Sequence, residues 1–141
     1  MIQTLRIDGW HPAAHNSHSH GQHYMVRARI KEGDRDLVIA EAGRQKLIPA
    51  TGRRRVDLLI VLKKGQIAPD PDAFWKSALD ALVKAKLLTK DTRKGVVQGS
   101  VDYKRSGTAE KWTEITLTDV EPAPPIEVLN KVGRKRKAVG K

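Results

Sequence analysis

Cysteine is absent from the 141-residue chain. That excludes a disulfide framework, a thiolate nucleophile and any cysteine-based zinc site. Aromatic residues are scarce, with three Trp, two Tyr and one Phe, so no regular aromatic series stands ready to stack single-stranded bases. Long apolar runs are missing as well: the longest, 58–62, falls far short of a membrane span. The opening Met-Ile-Gln-Thr-Leu-Arg-Ile-Asp has no signal-peptide form. These absences lead to the expectation of a cytoplasmic protein with no membrane partner.

Acid is also in short supply. Sixteen Asp and Glu stand against 27 Lys and Arg, a surplus of +11 with a pI near 10.1. Such a field attracts polyanions, nucleic acid first among them. The length allows one hydrophobic core and not two. The reading is a single α/β (α+β) domain over 1–120, a small mixed β-sheet flanked by helices. A Pro-rich linker and basic tail occupy 121–141. Glu-Pro-Ala-Pro-Pro ends the domain, because it fits neither a helix nor a central strand. The last eleven residues carry Lys131, Arg134, Lys135, Arg136, Lys137 and Lys141, six of the surplus charges. Such a tail adds phosphate contact without reading sequence.

Alternation places a first strand over 2–8, and an apolar run places a mostly buried strand over 56–62. Helices are expected over 34–47, capped by Asp34 or Asp36, and over 72–86. Two further strands, 96–104 and 112–118, read as a hairpin through Ser106-Gly107-Thr108. All five histidines, His11, His15, His18, His20 and His23, fall in a small polar loop. Without a Cys or acid among them, the tract reads as a loop beside DNA rather than a four-ligand zinc site. Core packing is expected for Trp75 and Trp112, and DNA contact for Trp10.

The stretch Ala-Pro-Asp-Pro-Asp-Ala-Phe-Trp-Lys, 68–76, sets two carboxylates one residue apart in this basic chain. Asp72 would cap the following helix and meet the positive end of its dipole. A second reading is a metal site. Asp72, Lys76, Asp80 and Lys84 form one stripe at four-residue spacing on an otherwise apolar helix. An ion-pair ladder accounts for that stripe but leaves Asp70 without a role. Asp91, just past the helix, could run back toward the helix start. Three carboxylates around one point need a cation, and hard oxygen ligands with room for water suit Mg²⁺.

Asp-Pro-Asp-Ala-Phe-Trp-Lys at 70–76, Leu-Asp-Ala-Leu at 79–82 and Lys-Asp-Thr at 90–92 together resemble the RusA family of Holliday junction resolvases. Trp10, Pro12 and Asn16 after the first strand, and the closing Trp-Thr-Glu-Ile-Thr-Leu-Thr, extend the likeness over most of 2–120. The resemblance implies a Mg²⁺-dependent endonuclease, with Mn²⁺ able to substitute. It would resolve four-way DNA junctions by paired symmetric nicks in recombination and repair. Asp70, Asp72 and Asp91 would be the metal ligands, Lys76 would stabilise the transition state, and Asp80 would fix Lys76. Nicked strands would carry a 5′-phosphate. Paired nicks from one cluster per chain require a homodimer. Arg53, Arg54, Arg55, Lys63, Lys64, Lys84, Lys86, Lys90, Arg93 and Lys94 would grip the DNA arms. One departure stands out: Ala73 occupies the place of the family's Asn. It favours the rival reading, a non-catalytic DNA- or RNA-binding protein with a decayed site.

Overall fold

The computed structural model describes residues 1–13 and 24–125. Its elements run β1 (Ile2–Asp8), α1 (Tyr24–Arg44), β2 (Arg54–Leu62), a 3-10 turn (Pro71–Phe74), α2 (Trp75–Lys84), β3 (Val96–Arg105) and β4 (Trp112–Asp119). The four strands form one mixed sheet in the order β1-β4-β2-β3. The expected α+β class with a small mixed sheet is what the chain adopts.

Alternation in the strands decides which face is covered. Leu5 and Ile7, Val56, Leu58, Ile60 and Leu62, and Ile115 and Leu117 form one buried cluster. Phe74, Ala78 and Leu82 reach it from the helical side, and so do Val38 and Ala42 from α1. Burying each Leu, Ile or Phe contributes about 1.5–3 kcal/mol, so this seam holds the sheet to both helices. The alternate residues, including Thr4, Arg6, Arg55, Asp57 and Thr116, point to the opposite face. β2 is central, as its apolar pattern implies.

Strands β3 and β4 do not form the expected hairpin. β2 lies between them, parallel to β3 and antiparallel to β4. The apolar central strand β2 satisfies the backbone groups on both of its edges by pairing with both neighbours. The 106–108 turn therefore crosses the end of β2, where Ser106 N–H donates to the Leu62 carbonyl and Lys64 N–H to that of Thr108. Parallel pairing of β2 with β3 requires a crossover, and α2 supplies it.

Helix α1 starts ten residues before the expected Asp34 and ends at Arg44 rather than Leu47. Asp34 lies inside the helix and caps nothing. It is buried, at 8% exposure, and accepts from Trp10 Nε1–H at 2.9 Å and Ala13 N–H at 3.0 Å. The helix stops where Lys46 turns left-handed (φ 58°) and Leu47 N–H closes back on the Ala42 carbonyl. Between β2 and β3 the register slips, Val56 facing Gln98 while Leu58 faces Val101. Asp57 fills the slip by accepting from Ser100 N–H at 2.8 Å. A Cβ on Gly99 would lie 2.1 Å from the same oxygen, so any larger residue there would have to displace the Asp57 side chain.

Candidate functional site

The acidic turn is held from both sides by one strand. Tyr103, on β3, donates its hydroxyl to the Pro69 carbonyl just before Asp70. Its ring meets Phe74 just after Asp72, with centroids 6.3 Å apart. Burial, and then the charge of Asp70, pushes the Tyr103 phenol up, so it stays a donor. Upstream, Arg105 donates to the Gln66 carbonyl at 2.7 Å. The Gln66 side chain accepts from Lys63 N–H at 3.2 Å.

Within the turn the cap is Asp70, not Asp72. Asp70 Oδ1 accepts from Asp72 N–H at 3.1 Å, and the Asp70 carbonyl accepts from Ala73 N–H at 3.0 Å. Pro71 takes the first position, where a missing N–H costs nothing. Ala73 and Phe74 are buried at 3% and 2%, and Ser77, Ala78 and Leu79 follow them inward. That packing leaves Asp70, Asp72 and Lys76 facing solvent together. One oxygen of Asp70 is occupied by the turn; the rest of the pair's carboxylate oxygens face outward as hard acceptors.

Asp80 does not act as expected. It meets Arg35 of α1 at 2.5 Å, joining the two helices, and this bond pulls the Arg35 pKa further up. Asp91 lies beyond α2 in an exposed turn, closed by Gly95 and Val96 N–H donating to the Thr92 carbonyl. Gly95 packs so closely on Lys90 that a Cβ would lie 2.5 Å from its carbonyl oxygen. Asp70, Asp72 and Asp91 do not gather: among the described residues no three acidic or histidine side chains form a group that could hold a metal ion. The two adjacent carboxylates nevertheless fit Mg²⁺, which is commonly held by one or two carboxylates, water and substrate phosphate.

The basic residues divide. Arg54 points into the fold, 2% exposed, and donates to Asp119 at 2.8 Å and to the Leu87 carbonyl at 3.1 Å. It is a structural residue and not a DNA contact. Arg53 is half-buried; Arg55 is exposed but paired with Asp57 at 3.0 Å on the open sheet face. Lys63, Lys64, Lys84, Lys86, Lys90, Arg93 and Lys94 are all exposed. Arg93 also donates to the Pro124 carbonyl, so the Pro-rich segment that follows β4 lies against the Asp91 turn.

Trp10 is partly buried and committed to Asp34 rather than presented to DNA. Trp75 packs on the core as expected, whereas Trp112 lies on the open face under Arg6. His11 bonds the Val61 carbonyl at 2.9 Å, and burial pushes its pKa down, so its ring braces the end of β2 as a neutral group. His15, His18, His20 and His23 lie outside the described residues. Sequence reasoning missed Tyr103, Arg105 and Gln66, whose roles depend on β3 lying beside the loop. It also missed Ile67, 86% exposed three residues before Asp70. A lone apolar residue in a polar loop was the available signal. No protein-family model matches the chain, and no curated protein matches it.

Proposed function

We propose that the chain is a Mg²⁺-dependent, structure-selective endodeoxyribonuclease that resolves four-way DNA junctions as a homodimer, in recombination and repair. The observation that carries this reading is the outward-facing set Asp70, Asp72 and Lys76, fixed by a buried turn in a protein of net charge +11. The resemblance of 70–92 to RusA-type resolvases supports it. When bound, Mg²⁺ would supply charge neutralisation and a more acidic water. Asp70 and Asp72 would orient the ion and share it with the scissile phosphate. Lys76, one turn along α2, would donate to a phosphoryl oxygen as negative charge builds in the transition state. Exposed Lys84, Lys86, Lys90, Arg93 and Lys94 would hold the flanking backbone.

Asp91 takes part on this reading by approaching the pair when metal and DNA are present. The cation would offset the repulsion among three carboxylates. The test is cleavage of a labelled junction in Mg²⁺ by wild type and by Asp70→Asn. Paired nicks from the wild type alone support the proposal. Tight binding by both with no cleavage, in Mg²⁺ or Mn²⁺, would sink it and leave the second reading, a DNA- or RNA-binding protein. Ala73 favours that second reading: an Asn at a site this buried would project a polar group, and the alanine gives it up for packing.

A further inference from the structure

A second region at the same end of the sheet lies outside the carboxylate turn. The end of β1 and the start of β4 frame a cleft of about 450 Å³, lined by Arg6, Asp8, Lys63, Glu110, Lys111 and Trp112. That volume suits a small ligand. An isolated surface cation would be solvated and mobile, but Arg6 is held. The Arg6 guanidinium lies 4.2 Å above the Trp112 ring, and its Nε donates to Asp8 at 2.8 Å. Trp112 Nε1–H in turn donates to Glu114 at 2.9 Å. Gly9 N–H fixes the Lys111 backbone at 2.7 Å.

We propose that this cleft takes one unpaired nucleotide of a nucleic acid strand. A guanidinium already stacked on an indole presents its outer plane as a rigid cationic shelf, and bases stack on arginine planes as on aromatic rings. Lys63 and Lys111, from different segments, flank the shelf and take the phosphate. Asp8 is spent on Arg6. Glu110 remains at the rim, where its carboxylate accepts from an exocyclic amine and repels a second phosphate. The pocket therefore prefers bases that carry such an amine, cytosine over thymine, and rejects a continuous duplex backbone. The inference stands whether or not the carboxylate turn cleaves.

Calorimetric titration of the full chain tests it, with the trinucleotides dCdCdC and dTdTdT, deoxycytidine 5′-monophosphate and inorganic phosphate as probes. The cytosine trinucleotide should bind about tenfold more tightly than the thymine one, the low end of what one hydrogen bond to a charged group supplies. Lys63→Gln/Lys111→Gln and, separately, Arg6→Gln should each lose about tenfold or more while melting near wild type. Asp70→Asn should bind it unchanged, which separates this site from the proposed catalytic one. Phosphate binding as tightly as the trinucleotide would overturn the base contact. Deoxycytidine monophosphate binding as tightly would overturn the strand and make the ligand a free nucleotide. Double-variant affinity equal to wild type would overturn the site.

Discussion

The two carboxylate-bearing segments are built on opposite plans. The Asp70–Asp72 turn is clamped by the core: Tyr103 holds Pro69 before it and packs on Phe74 after it. The Asp91 turn is closed by Gly95 and Val96 N–H on the Thr92 carbonyl, its longer-range bonds come from Arg93 to the Pro124 carbonyl and from Arg54 N–H to the Gly95 carbonyl, and its side chains from Lys90 to Lys94 are exposed. A clamped carboxylate pair offers ligand oxygens in place before any cation arrives, while an exposed turn can move toward them. On the proposed function, metal affinity would be set mainly by the first segment and DNA-coupled completion by the second.

The largest expected effect breaks that comparison directly. Asp70→Asn should lower junction cleavage in Mg²⁺ by more than the roughly 10–100-fold typical of an outer-shell partner. Asp91→Asn should fall inside about 10–100-fold and be relieved in part by higher Mg²⁺. Single-turnover cleavage across a Mg²⁺ series reads both. Equal losses, with equal Mg²⁺ dependence, would make the two segments one preformed site and end the distinction.

Stability measurements sharpen it next. Phe74→Ala should cost about 3–5 kcal/mol in urea unfolding, because it empties the seam between α2 and the sheet. Tyr103→Phe removes only the hydroxyl and should cost about 1 kcal/mol, while weakening Mg²⁺ binding through a looser Asp70. Gly95→Ala acts on the other segment: its Cβ would press on Lys90, and overpacking of this kind costs about 1–3 kcal/mol. If Tyr103→Phe left Mg²⁺ titration unchanged, the clamp would be purely structural.

Much of the frame was legible from pattern. Alternation found β1, apolarity on both faces marked β2 as central, and the Ala- and Leu-rich run gave α2. The hairpin expectation failed because sequence proximity of β3 and β4 says nothing about β2 taking both ladders. Asp34 read as a cap because Asp favours helix starts; its true role, accepting from Trp10 and Ala13, depends on a loop 21 residues or more away. Arg53, Arg54 and Arg55 show the limit for the candidate site. They look like one basic patch, but strand alternation turns Arg54 inward to Asp119 and Arg55 outward to Asp57. Charge composition locates a polyanion surface only after the backbone has assigned each side chain a face.

The smallest expected effect concerns that inward arginine. The Arg54 hydrogen bond holds the Asp119 carboxyl below its ordinary pKa, with burial opposing and the charges of Arg54 and the N-terminus reinforcing. A carboxylate whose folded pKa lies below its unfolded value favours the folded state above the unfolded pKa. That contribution is lost as pH falls through the folded one. Thermal melting between neutral and strongly acidic pH should therefore show a decline that Asp119→Asn makes shallower. Because Asp119 is half exposed and screened by solvent, the change at neutral pH should be small. Arg54→Ala should cost more, about 1–3 kcal/mol, since it also strips the Leu87 carbonyl of its buried donor. If Arg54→Ala were neutral for stability but weakened junction binding, Arg54 would belong with the exposed cations after all, and its inward placement would have to give way.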